Sequence, residues 1–337
     1  MTTQSDFLSL RTLSARIGRD PLLTQANSGN TSIKLGPAMW IKASGKWLAD
    51  ALQDDIFVPV DLAMAADCLR WDSDPAAFGP SSSETAMHAV IRQRVVVHVH
   101  SVNAIAHAIR ADGRTSLRSK LAGLRWEWIP YAPSGLPLAK KIHRALQKSQ
   151  SPDIFVLSNH GLVVCGDTCG SVAALLHEVE NRLALTPRSA PGFDSKFLFN
   201  LASGSDWRLP EHTRLHALAT DPVSRNILSN GVIHPVQTVL PGGFSSWTPF
   251  YSGLYSEASK GFHESGGTQK FRIVEDKGVL LNEKITSSEI EMLIGLAEVV
   301  QRIDSSASIR YLTQADLENS GARASRSHGF EPLALSA

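Results

Sequence analysis

Hydrophobic and polar positions divide the chain into two kinds of segment. Strand-like runs of β-branched or alternating residues are expected at Ile33–Leu35, Met39–Ala43, Ile56–Val60, Val95–Val99, Trp126–Tyr131, and on both sides of the polar break at 158–161. Helical spacing is expected around Phe7, Leu10, Leu13 and Ile17, then over 61–74, 86–91, 104–110, 137–147 and 173–185. Further on, Ile227–Leu240 and Phe271–Leu281 are expected to be strands. Residues 187–207 are expected to be a connection and Gly242–Gly267 a loop. Ser288 and Glu291 are spaced as a capping box opening a helix with Leu293, Leu296, Val300 and Ile303 inward, and the chain should fray from Asn319. The pattern describes an α/β fold with a C-terminal region of its own.

The stretch Pro80–Ser101 concentrates the chemistry. Ser81, Ser82 and Ser83 precede a helical run and are placed to accept its free N–H groups, with Glu84 at the positive end of the helix. The run Val95-Val96-Val97 is too apolar for an exposed strand and ends in His98-Val99-His100. Alternate strand residues share a face, so both imidazoles project the same way, roughly 6.5–7 Å apart. A third ligand is available in Asn159-His160-Gly161, a polar break in a buried run, where glycine permits close backbone approach. Two small-residue turns, Ala26–Ser32 and Ser44–Lys46, offer hydroxyls and backbone N–H groups to an anion.

The other histidines carry less. His107 and His177 lie on helices and are expected to be structural. His212 and His216, at i and i+4, are expected on a solvated helix face, and His234 and His263 stand alone with no metal assigned. Cys165 and Cys169 make one pair without a second, so the three cysteines are expected to be reduced.

Composition narrows the class. At 43% hydrophobic and 19% charged the chain has the profile of a soluble globular protein, and a net charge of +1 gives no general attraction to nucleic acid or membrane. No apolar run reaches the length of a spanning helix, and the amphipathic start lacks a leader's continuous apolar core. The expected location is cytoplasmic.

Five motifs in one order, G-N-T-S at 29–32, A-S-G at 43–45, S-S-E at 82–84, H-V-H at 98–100 and N-H-G at 159–161, resemble the class II aldolase/adducin family. K-A-S-G-K-W-L-A-D-A at 42–51 and F-V-P-V-D-L at 57–62 resemble the aldolase part of two-domain proteins that fuse a rhamnulose-phosphate aldolase to a short-chain dehydrogenase. No dinucleotide glycine fingerprint follows, so the aldolase part would stand alone. The spacing from Glu84 to His98 and the presence of Lys46 depart from the pattern, which bears on substrate more than on reaction.

The resemblance implies a three-layer fold with a mostly antiparallel central sheet flanked by helices over residues 1–188, and an α+β extension over 189–337. It implies Zn²⁺ or another divalent ion on His98, His100 and His160. Glu84 would be the catalytic acid, and the substrate phosphate would lie among Asn30, Ser44, Gly45, Ser82 and Ser83. The implied reaction is cleavage of a ketose phosphate, rhamnulose- or fuculose-like, to dihydroxyacetone phosphate and an aldehyde. Related epimerase, decarboxylase and non-phosphorylated aldol reactions, and a non-catalytic adducin-like role, are the alternatives. The implied assembly is a homo-oligomer, a tetramer by resemblance.

Overall fold

The computed structural model describes residues 2–72, 79–147, 152–240 and 269–318. Its main sheet has seven strands, β1 (Asn30–Leu35), β2 (Ala38–Lys42), β3 (Phe57–Asp61), β4 (Val95–Val99), β5 (Trp126–Ile129), β6 (Ile154–Leu157) and β7 (Gly161–Gly166). They lie in the order β3-β2-β1-β4-β7-β6-β5, and every neighbouring pair is antiparallel except β5 with β6.

Period-two alternation sorts the strand residues into two cores. Val95, Val97, Val99, Ile154, Val156, Leu162 and Val164 face one side, where the helices Thr2–Gly18 and Cys169–Leu183 pack. Val96, Phe155, Leu157, Val163 and Cys165 face the other, against the helices Thr85–Val90 and Leu136–Leu146. Both faces are therefore covered, which is why the valine run reads as continuously apolar. The result is the three-layer arrangement with a mostly antiparallel sheet.

A short helix, Val102–Ala108, leaves the end of β4 fully buried on all sides. Ala104 and Ala108 belong to the sheet core, whereas Val102, Ile105, Ala106 and Ile109 belong to a second core built with residues 215–303. The C-terminal region thus packs directly on the helix that follows the paired histidines. It contains a three-stranded sheet in the order β8-β10-β9, made of β8 (Trp207–Arg208), β9 (Phe271–Val274) and β10 (Gly278–Asn282). It also contains the long helix Ser287–Gln301, on which Leu293, Leu296, Val300 and Ile303, just beyond its end, are buried as the spacing required.

Several expectations are corrected. Residues 227–240 form no strand: Asp221 caps a helix, Pro222–Ser229, through Val223 and Ser224 N–H, and a second helix spans Val236–Val239. An Asp-Pro start with proline in the first turn is a helix signal that the apolar content of Ile227 and Leu228 masks. The segment 187–207 carries a helix, Ser195–Ala202. The capping box of the last helix is Thr286 with Glu289, two residues earlier than the Ser288–Glu291 spacing suggested. His216 is buried rather than solvated, stacked on Phe193 at 3.7 Å, with its Nδ1 accepting the Val279 N–H at 3.0 Å. Among the described residues, Cys68, Cys165 and Cys169 form no disulfide. The loop expected at 242–267, His263 and the tail from Asn319 lie outside the described residues.

Candidate metal centre and active site

Four strand and turn positions bring the candidate residues together. In the sheet, His98 stands opposite Asn30 on β1 and Val163 on β7. His98 falls on the same face as Val96, and His100 follows just beyond the strand end. His160 occupies the turn between β6 and β7, next to Asn159, which adopts a left-handed conformation at φ 55°. Gly161 has no alternative there, because a Cβ would sit 2.5 Å from the Val99 carbonyl oxygen and 3.2 Å from His98 Cε1. Gly29, at φ +67°, likewise lets the Asn30 turn close against His98, whose carbonyl oxygen would be 2.9 Å from a Cβ.

The rings of His98, His100 and His160 lie 5.0–5.2 Å apart, and one ring nitrogen from each falls within 4.8 Å of the others. Each is nearly edge-on to the next, as three imidazoles aimed at one point must be. His98 Nδ1 is 3.1 Å from the Leu162 carbonyl oxygen, so it carries the proton and leaves Nε2 as a lone pair turned toward the cluster. That buried Nε2 makes no hydrogen bond. Burial holds His160 down to about 3 and His100 well below the usual histidine range, so both are neutral. Three imidazoles with converging ring nitrogens fit a divalent ion, and three protein ligands would leave room on it for a substrate atom.

Glu84 closes the cluster. Its Oε2 is 3.3 Å from His98 Nε2 and its Oε1 is 3.3 Å from His160 Nε2. It serves as the N-cap residue of Thr85–Val90. Of the three serines expected as caps, Ser82 accepts Glu84 N–H at 3.2 Å. Asn30 Nδ2 donates to Glu84 Oε2 at 2.8 Å and to Ser82 Oγ at 3.1 Å, and Ser134 Oγ donates to Glu84 Oε1 at 3.2 Å. Behind Asn30, its Oδ1 accepts from His88 Nε2, and His88 Nδ1 accepts from Ser32 Oγ at 2.7 Å. Burial alone would push the Glu84 carboxyl up, but His98, His160 and the Asn30 bond outweigh it and hold it at about 2. It is a carboxylate with fixed orientation.

The cluster opens into a cavity of about 320 Å³ lined by Asn30, Ser44, Gly45, Ser82, Ser83, Glu84, His100 and His160. His98 is buried behind it, with no exposure at all. An antiparallel bridge between Ala43 and Ser81, and the Ser44 N–H bond to Pro80 O at 2.8 Å, join the two serine-containing turns.

Three features escaped the sequence. Lys42 lines the cavity and ties two of its turns together, Nζ donating to Asn27 O at 2.9 Å and Lys46 O at 2.7 Å. Burial lowers its pKa to about 8, against the pull of Glu84. A lysine ending a strand whose Met39 and Ile41 are fully buried was the available signal. Ser134, in the Pro-Ser-Gly turn, gave none. His234, left without a role, has its ring 5.2 Å from that of His100, and its Nε2 donates to the His160 carbonyl oxygen at 2.9 Å while Nδ1 accepts Val236 N–H. Burial keeps it neutral, at about 4.

This strand-end arrangement, a carboxylate laid across three converging imidazoles with small-residue turns beside them, could hold a metal ion in an α/β protein. The chain matches the family described as Class II Aldolase and Adducin N-terminal domain over residues 13–186, and it belongs to that family. It is similar to a protein of Bacillus subtilis (strain 168) named "Uncharacterized oxidoreductase YuxG", with 26% identity over 175 residues, 45% of this chain and 25% of that protein. The chain therefore matches about a quarter of the length of that relative.

Among solved structures it is similar to the N-terminal class II aldolase domain of a conserved protein from Thermoplasma acidophilum. The identity is 24% and the TM-score 0.47, covering 53% of this chain and 92% of that one. It is also similar to L-fuculose-1-phosphate aldolase from Thermus thermophilus, at 17% identity and TM-score 0.39, covering 52% and 90%. Among the described residues, no helix is long and apolar enough to cross a membrane.

Proposed function

We propose that the protein is a divalent-metal-dependent aldolase that cleaves a ketose phosphate, rhamnulose- or fuculose-like, to dihydroxyacetone phosphate and an aldehyde. The observation that carries this reading is Glu84 spanning His98 and His160 at 3.3 Å on each side, within the three-histidine cluster. A purely structural site has no need of a buried carboxylate held beside an open ligand position.

A divalent ion, Zn²⁺ in the first instance, held by His98, His100 and His160, supplies Lewis-acid stabilisation of the charge that C–C cleavage leaves on the ketose fragment. Everything else falls to side chains. The anionic end of the substrate is held by Asn30, Ser44, Gly45, Ser82 and Ser83, with Lys42 as the nearby cation. As the C–C bond breaks, the carbinol hydroxyl that becomes the aldehyde gives up its proton, and Glu84 delivers a proton to the carbon next to the carbonyl. Its carboxylate starts well below the working pH, and substrate that displaces water and takes over its contacts raises it toward the range of a general acid. Asn30 and Ser134 hold its two oxygens so that the transfer is directed at one face. The protein is read as a homo-oligomer, consistent with its family resemblance.

The test is deuterium exchange into dihydroxyacetone phosphate in D₂O, followed by NMR with and without a chelator. Chelator-sensitive exchange that disappears in Glu84→Gln supports the aldolase reading without requiring the right aldehyde. No exchange by a metal-loaded protein sinks it and moves the weight to epimerisation, decarboxylation or a non-phosphorylated substrate. A protein that binds no divalent ion on titration overturns every enzymatic reading and leaves an adducin-like binding role.

A further inference from the structure

The helices Thr85–Val90 and Leu136–Leu146 both begin at the candidate active site. Glu84 caps the first, and Ser134, two residues before the second, donates to Glu84. Toward their other ends they border a second cavity, of about 690 Å³, which shares no lining residue with the first. Arg70 reaches it from the short helix Cys68–Trp71, and Arg92 from just past the end of Thr85–Val90. Lys140, His143 and Arg144, at i, i+3 and i+4, line it from one face of Leu136–Leu146. The rest of the lining is apolar, from Ala66, Leu69, Ala89 and Val90, and no carboxylate is among the lining residues.

Such a concentration of charge is foreign to the chain as a whole. With 33 Lys and Arg against 32 Asp and Glu, four cations around one hollow are a local excess. The C-terminal end of a helix favours a cation, which would account for Arg70 or Arg144 singly. It does not account for four cations gathered from three parts of the chain. Like charges there repel, and Lys140 and Arg144, at i and i+4, weaken the helix that carries them. Lys140 pairs with Asp72 at 2.5 Å. Among the described residues Arg92 and Arg144 enter no ion pair, and both are exposed. Their charges remain for a ligand.

We propose that this cavity binds a compound carrying two or more phosphate groups on an apolar or aromatic body, the chemistry of a nucleoside di- or triphosphate. Arginine forks meet phosphate oxygens two at a time, and lysine adds a point charge. The body covers Leu69, Ala89 and Val90, and that contact gains by leaving water. A volume of about 690 Å³, against about 320 Å³ for the first cavity, takes a larger ligand than the candidate active site holds. One imidazole and no carboxylate give no acid–base pair, so this is a binding site and not a second catalytic one. The proposal does not rest on the aldolase reading.

The experiment is calorimetric titration of the full, metal-loaded chain with adenosine mono-, di- and triphosphate and with tripolyphosphate, at low and high salt. Affinity should rise about fivefold with each added phosphate and fall at high salt. Tripolyphosphate, which has no body, should bind at least about fivefold more weakly than the triphosphate. Arg92→Glu and Arg144→Glu should each weaken triphosphate binding at least about tenfold. Glu84→Gln, in the first cavity, should leave it unchanged, and circular dichroism checks the fold of each variant. Absence of binding, or tripolyphosphate binding as tightly as the nucleotide, overturns the proposal. Binding that both charge reversals leave unaltered also overturns it, as nucleotide that merely chelates the divalent ion would behave. Loss of self-association in Arg92→Glu without nucleotide binding makes the cavity an interface between copies and overturns it too.

Discussion

His234 Nε2 donates to the backbone carbonyl of His160 at 2.9 Å, across 74 residues of sequence. The C-terminal region thereby holds the main chain of a candidate metal ligand. The link is doubled at the neighbouring position, where Asn159 Nδ2 donates to Ile233 O at 2.9 Å and to Arg310 O at 2.8 Å, and its Oδ1 accepts from Arg310 Nη1 at 2.7 Å. The turn that presents His160 is gripped from two sides.

Replacing His234 should therefore loosen the metal centre without removing a ligand. His234→Ala is expected to weaken divalent-ion binding by about 10–100-fold, the range for partners that orient a ligand. Metal titration, with circular dichroism to confirm the fold, reads this directly. Unchanged affinity would mean that His234 only fills space.

Asn159 should matter more for stability than for chemistry. Its left-handed backbone costs a non-glycine residue about 1 kcal/mol, and its amide satisfies carbonyls of two distant segments. Asn159→Ala keeps the strained turn and removes those bonds, leaving buried Ile233 O unpaired. The expected loss is about 2–4 kcal/mol by urea unfolding. Asn159→Gly should recover part of the backbone term, and a loss for alanine below about 1 kcal/mol would contradict the bracing role.

Glu84→Gln should separate binding from proton transfer. Glutamine keeps the size and can still meet Asn30 and Ser134, but it cannot deliver the proton. Exchange into dihydroxyacetone phosphate is expected to fall by about 10²–10⁴-fold, with metal still bound. Loss of metal together with exchange would instead place Glu84 among the ligands that secure the ion.

Acid should destabilise the fold through histidines outside the site. Burial holds His107 and His216 at about 4, against about 6.5 in an unfolded chain. The unfolded chain takes up these protons first, so stability is full above about pH 6.5 and is lost as pH falls toward 4, at about 1.4 kcal/mol per pH unit per histidine. His216→Gln should lower the slope of urea-melt stability between pH 6.5 and 4 by about one proton. An unaltered slope would show that His216 does not titrate on unfolding.

Much of the site was legible because its signals are local. Alternation along Val95–His100 puts two imidazoles on one face, and the break at Asn159–Gly161 shows where a buried run must turn. The valine run fixes a strand covered on both faces. These are properties of a few consecutive residues, and they survive without knowledge of the rest of the fold. Sequence also supplied Asn30, Ser44, Gly45, Ser82 and Ser83 as small, polar turn residues, all of which line the cavity with Glu84, His100 and His160.

What tertiary structure decided is the other half of the pocket. A lone histidine flanked by Ile233 and Pro235 has no local pattern that marks it as a neighbour of His100. Its position follows from packing of the C-terminal region on the buried helix Val102–Ala108. Burial of His216 against Phe193 is likewise a tertiary outcome, whereas the helix Pro222–Ser229 has a local signal in its Asp-Pro start. Met292, Leu296 and Val299 are, in sequence, one more amphipathic stripe. Hydrophobic burial is non-directional, so a stripe specifies that a face will be covered. It does not specify that Met292, Leu296 and Val299 will line the cavity beside Glu84 and His160, which only the packing of the C-terminal region decides.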